Sequence, residues 1–170
     1  PCAFFKTYTL EERLQREPFN QAKRIDLISL DRIKERLRYI GDTLPDQLPG
    51  NALFSNFLGY KKEFRWFERV TLSRSQIDSL TNILFNFDYG RAKNGEIDKW
   101  ASLCHNPRQA ILLYREIEDA EMFASIEICL ECHSYWSRPD KYDLGNFCEG
   151  KYDLLRAFFR QTGITYGFDN

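Results

Sequence analysis

Both histidines of the chain directly follow a cysteine, as Cys104-His105 and Cys132-His133, and Cys129 and Cys148 stand in the same C-terminal half. Thiols and imidazoles grouped in this way can close disulfides, bind zinc, or serve as redox or nucleophilic groups. Disulfides need an oxidising compartment; in a reducing cytosol the same residues read as free thiols, metal ligands or redox groups. A zinc site would use Cys129 and Cys132 as one knuckle, completed by Cys104, Cys148, His105 or His133, but a second Cys-x-x-Cys pair is missing.

Redox catalysis wants a Cys-x-x-Cys pair at a helix N-terminus, where a thiol pKa is depressed. Here the pair follows a strand, and Glu127 and Glu131 work in the opposite sense. A cysteine–histidine nucleophile meets a geometric obstacle, because adjacent residues on a strand point to opposite faces; Cys104 with His133 across two strands remains. The balance favours a structural, oxidised cluster of Cys104, Cys129, Cys132 and Cys148, with no catalytic residue and no cofactor. Zinc held by those cysteines, with His105 or His133, is the alternative. Cys2 is the odd fifth, a free thiol or the former site of a lipid anchor.

The elements that must position this cluster are legible in outline. Thr9-Leu-Glu-Glu12 has the form of a capping box and opens a short helix that ends before Pro18. Arg24 to Leu30 alternates polar and apolar residues, as a half-buried strand does. Asp31 then caps a helix with Ile33, Leu37 and Ile40 on one face, stopped by Gly41. Residues 42–60, with Pro45, Pro49, Gly50 and Gly59, read as a long irregular connection whose Phe54 and Phe57 are candidates for partner contact. A strand follows from Phe64 to Leu72.

Ser73-Arg-Ser-Gln76 is a second capping box, and the helix it opens carries Ile77, Leu80, Leu84 and Phe87 along one stripe. Two strands come next, Arg108 to Arg115 and Met122 to Cys129, joined by an acidic turn near Glu118-Asp119. Asn146, with Glu149 three residues on, starts a final helix that runs to about Gln161, stops at Gly163, and buries Phe147, Leu155, Phe158 and Phe159. The pattern is α+β: one domain over 1–170, with an antiparallel sheet of four or more strands and helices mainly on one face. Within it, 1–23 is an N-terminal helical extension, 42–60 a long loop, and 104–148 a cysteine-bearing hairpin region.

Centring the hairpin turn between Glu118 and Asp119 sets a register in which Ile111 faces Ile126, Leu113 faces Ala124 and Arg108 faces Cys129. One face becomes almost wholly apolar. The other carries Leu112, Tyr114, Phe123, Glu127 and Cys129, with Arg108 diagonal to Glu127, a pair that forms a cross-strand ion pair or holds a charged ligand. Cys104 and Cys132 fall nearly opposite each other, and Cys148 enters from the first turn of the last helix.

Composition narrows the function. With 24 basic and 25 acidic residues the chain lacks the electrostatic footprint that phosphate-backbone binding needs, which argues against nucleic acid. Its longest apolar runs fall far short of the about 20 residues that span a bilayer. A start at Pro1 rather than Met fits removal of an N-terminal export signal.

Three segments carry a resemblance: Cys104-His-Asn-Pro-Arg-Gln-Ala-Ile-Leu-Leu-Tyr114, Ile126-Glu-Ile-Cys-Leu-Glu-Cys132, and Leu144-Gly-Asn-Phe-Cys148 with Lys151-Tyr152 and Phe158-Phe159. Over roughly residues 70–167 the chain resembles a bacterial family that carries a CYxPRxAIxFY strand, an IEICFEC strand and an FC…KY…FF helix, often behind a signal or lipoprotein peptide. His105 stands where that pattern has tyrosine, and Leu130 where it has phenylalanine. The resemblance implies export and supplies no reaction. The expected function is therefore a non-enzymatic periplasmic or envelope protein that binds a protein partner, of immunity or accessory type; a metal- or thiol-dependent protein is the alternative.

Overall fold

Two capping boxes start two of the helices. Thr9 and Glu12 close the first reciprocally around α1 (Leu10–Leu14), and Ser73 and Gln76 do the same for α2 (Arg74–Asn86). Each satisfies backbone N–H groups that a helix start otherwise leaves without partners. The third helix, α3 (Glu149–Gln161), is capped at Cys148 with no side-chain hydrogen bond. Its start is fixed instead by Phe147, whose ring lies 5.4 Å from that of Tyr152, a hydrophobic staple across the first turn. Its end is a Schellman turn: Gly163, at φ 98°, lets Ile164 N–H reach Phe159 C=O at 3.0 Å.

The computed structural model describes residues 2–5, 7–30, 38–39, 52–57, 60–89, 107–118, 122–145 and 147–168, with the backbone alone for 38–39, 52–57 and 60–65. Its strands are β1 (Ala3–Phe4), β2 (Arg24–Leu30), β3 (Arg38–Tyr39), β4 (Ala52–Phe57), β5 (Tyr60–Thr71), β6 (Phe87–Asp88), β7 (Gln109–Tyr114), β8 (Ala124–Cys129) and β9 (Ser134–Arg138). The main sheet is antiparallel in the order β5-β2-β7-β8-β9, and the early half of β5 also pairs with β3 and β4. β1 and β6 form a separate two-stranded ribbon. The fold is α+β, as the pattern implies. No helix among the described residues is long and apolar enough to cross a membrane.

The hairpin register follows the sequence closely. Ile111 opposes Ile126, and Leu113 opposes Ala124. On one sheet face Ile25, Leu27, Ile111, Leu113, Ala124, Ile126 and Ile128 pack with Leu80 and Leu84 of α2 and Leu155, Phe158 and Phe159 of α3. Ile28, Leu30, Trp66, Ala110, Leu112, Tyr114 and Met122 form a second cluster on the opposite face.

Four expectations need correction. β2 is central and buried on both faces, Asp26 and Ser29 included, rather than half-buried. Arg38–Tyr39 is a strand paired with Tyr60 and Lys61 instead of the end of a helix, the rest of which falls outside the described residues. Ala52–Phe57, expected to be irregular, pairs along β5 as a hairpin in which Phe57 opposes Tyr60, so ladder hydrogen bonding overrides the turn-rich flanks. Phe123 lies before β8 begins, where strand alternation does not reach, and packs with the helix-side core while Met122 joins the opposite cluster.

Candidate functional site

The cysteine corner is oxidised, in a pairing the sequence leaves open. Cys2, at the entry to β1, is bonded to Cys148 at the N-cap of α3, with Cα atoms 6.7 Å apart across a sequence separation of 146. Cys2 is therefore the partner of Cys148, not an odd free thiol. Cys132 is also disulfide-bonded, to a partner outside the described residues. Among the described residues Cys129 is the free, buried thiol, and its Sγ accepts a hydrogen bond from the Cys132 N–H at 3.3 Å. Cys104 and His105 lie outside the described residues.

The turn joining β8 to β9 holds this geometry. His133 adopts φ 48°, and its ring stacks on Tyr152 at 5.0 Å. Burial pushes the Tyr152 hydroxyl pKa far up, with Tyr135 and Cys129 adding to the effect. Two of the proposed zinc ligands, Cys132 and Cys148, are held in disulfides in this state, which removes them as thiolate donors. Among the described residues no group of three or more His, Cys, Asp and Glu is arranged to hold a metal ion.

The other chemically loaded region is the sheet face away from the helices. Directly opposed residues share a face, so the register lays Thr71, Asp26, Leu112, Ser125 and Arg138 in one row and Arg69, Ile28, Ala110, Glu127 and Trp136 in the next. Asp26 and Glu127 are both fully buried. Asp26 accepts from Arg69 Nε at 2.8 Å and from the Thr71 hydroxyl at 2.8 Å, and Arg24 Nε lies 3.3 Å away. Glu127 accepts from Arg138 Nε at 2.8 Å.

That last contact corrects the expected Arg108–Glu127 pair. β9 brings Arg138 to Glu127, and Arg108 instead pairs with Glu131 at 3.1 Å, the other residue diagonal to it across the hairpin. Among the buried polar atoms on this face, Arg108 Nε and Ser125 Oγ have no hydrogen-bond partner, and the Tyr114 hydroxyl has no acceptor for its proton. Leaving such a group unmatched typically costs about 1–3 kcal/mol, and these lie on the face that also carries the apolar cluster of Ile28, Trp66 and Leu112.

One further titratable group is fully buried. Lys151 Nζ donates to Leu84 C=O at 2.7 Å, capping the last turn of α2, and lies 4.8 Å from the Phe147 ring. Gly145, at φ 76°, passes so close that a Cβ there would stand 3.0 Å from that same carbonyl. Burial lowers the Lys151 pKa from 10.5 to about 8, although Asp88 and Asp143 oppose the shift.

Between about pH 8 and 10 the unfolded chain holds the lysine proton and the folded protein sheds it, so stability rises by about 2 kcal/mol. Above pH 10 the raised pKa values of Tyr114, Tyr135, Tyr142 and Tyr152 act in reverse, because the unfolded chain loses phenol protons first. Urea melts of the wild type and of Lys151→Met at pH 7 and pH 10 check this. The variant should lack the rise, and equal slopes would assign it to another group.

Sequence reasoning missed the Cys2 pairing, the Arg138 contact and the Asp26 cluster. A signal for the last was present: Ile28 breaks the polar–apolar alternation of β2, as strands buried on both faces do. Comparison with protein-family models, curated proteins and solved structures returned no match to this chain.

Proposed function

We propose that the chain is an exported, non-enzymatic protein that binds a protein partner from a disulfide-locked scaffold, as an immunity-type or envelope accessory protein does. The observation that carries this reading is the Cys2–Cys148 crosslink, because structural disulfides persist in oxidising compartments and are rare in the cytosol. The likeness of the cysteine-bearing segments to exported and lipoprotein-type bacterial proteins supports the same reading.

A recognition surface lies beside the staple. Phe4, Phe5 and Tyr89, on or just beyond the β1–β6 ribbon, are 49, 40 and 42 % exposed. Aromatic side chains supply large contact area with few rotatable bonds, and they anchor many interfaces. Crosslinking the strand that carries Phe4 reduces the ordering cost of binding. Phe54 and Phe57, expected to present a surface from a loop, belong instead to β4.

Two measurements test the proposal. Fractionation of producing cells under alkylating conditions should recover the protein outside the cytoplasm with Cys2 and Cys148 blocked; a cytoplasmic, reduced protein overturns the export reading. Affinity capture with the oxidised protein should retain a partner that Phe4→Ser/Phe5→Ser loses at an unchanged melting temperature. Capture that ignores both phenylalanines removes this surface from the model. Stoichiometric zinc in the isolated protein would favour the metal-dependent alternative centred on Cys104, Cys129, Cys132 and Cys148.

A further inference from the structure

On the sheet face away from the helices, guanidinium groups and aromatic rings alternate. Arg69 Cζ lies 5.3 Å from the Trp66 ring and 5.7 Å from the Tyr114 ring, and Arg24 Cζ lies 3.8 Å from the centroid of the Tyr114 ring. Asp26 fixes the stack from below. One of its oxygens accepts from Nε and a terminal nitrogen of Arg69, and the other accepts from Thr71. The carboxylate is thus engaged by Arg69, Thr71 and the nearby Arg24, and the Tyr114 hydroxyl, which Arg24 approaches as a donor, has no acceptor for its own proton.

Tyr114 is fully buried, and Arg69 is the charge that acts most strongly on its hydroxyl. Arg69 spends Nε and one terminal nitrogen on Asp26, which leaves the donors of its other terminal nitrogen. Its side chain is 31 % exposed, so the cluster reaches solvent at this residue. A phenol donor without an acceptor, next to a guanidinium with donors to spare, lacks a partner of one chemical kind: an oxyanion that accepts from both. Charge-assisted hydrogen bonds of this type are shorter and stronger than neutral ones.

We propose that Tyr114 and Arg69 form a binding site for the anionic group of a small ligand, a phosphate or a carboxylate, with Asp26 holding the guanidinium in place. The site is independent of the aromatic ribbon proposed to bind a protein.

Thermal melting of the whole oxidised protein at constant ionic strength, set with chloride, tests the site using inorganic phosphate and acetate as separate probes. The expected result is a saturable rise in melting temperature with one of them. A phosphate response alone assigns a phosphoryl group, and an acetate response alone a carboxylate. Tyr114→Phe removes only the unmatched hydroxyl and should melt no lower than the wild type, while its apparent affinity for the probe falls about tenfold or more. Arg69→Gln should lose the response too; if it does not fold, Tyr114→Phe still decides. No saturable shift with either probe, or an undiminished shift in Tyr114→Phe, overturns the proposal.

Discussion

Cys2→Ser should lower the unfolding free energy by about 3–5 kcal/mol, because the crosslink it removes joins residues 146 apart and constrains nearly the whole unfolded chain. In the chain-entropy account the benefit grows with the logarithm of the closed loop, and this loop is close to the largest that the chain allows. Cys148→Ser removes the same bond but places a hydroxyl at the N-cap of α3, where no side chain now caps the helix. Serine there contributes about 1 kcal/mol, so this variant should be the milder of the two. Urea melts with and without reductant check both, and a loss below about 1 kcal/mol for Cys2→Ser would remove the staple as a stabilising element. Peptide mapping without reduction should recover Cys2 linked to Cys148 and Cys132 in a second disulfide. Cys129 should alkylate only on unfolding.

The parts of this fold that were legible in the sequence are the ones fixed locally. Thr9 with Glu12 and Ser73 with Gln76 mark helix starts because both halves of each box lie within one turn. The β7–β8 register was legible because an acidic connection separates two strongly apolar strands, and a one-residue slip would turn Ile111 and Ile126 out of the core. What escaped is of two kinds, hairpins whose flanking residues argue against a strand and contacts between strands distant in sequence. Ala52–Phe57 is a strand only because β5 runs beside it, and its proline- and glycine-rich flanks point the other way. β9 is five residues long and follows a tight turn directly, so the cation it delivers to Glu127 was invisible without it. Five cysteines admit many pairings, and spacing does not select Cys2 for Cys148.

The buried Asp26 cluster shows the same limit at a candidate site. Arg24, Asp26, Arg69 and Tyr114 come from three strands, and only the order β5-β2-β7 makes them neighbours. Each alone reads as a solvated residue or an ordinary strand aromatic. Their meaning appears when the register places a carboxylate between two guanidinium groups and an unmatched hydroxyl beside them.

Phe158→Ala should cost about 3–5 kcal/mol, comparable to losing the staple, for a reason rooted in packing rather than chain entropy. Leu155, Phe158 and Phe159 recur at helical spacing along α3 and turn one stripe toward the sheet. Phe158 is 5 % exposed within the helix-side core, and its ring meets that of Phe159 edge to face at 6.4 Å. Truncation removes the transfer free energy of a benzyl group and leaves a cavity that α3 cannot close freely, since Cys148 fixes its start and the Gly163 turn its end. Exposed Gln161, one turn further along, supplies the control, and its replacement by Ala should change stability by no more than about 0.5 kcal/mol. Urea melts of the two variants beside the wild type give the comparison at unchanged m-value. A cost below about 1 kcal/mol for Phe158→Ala would mean that α3 does not hold this face against the sheet, and the second anchor of the cysteine corner would go with it.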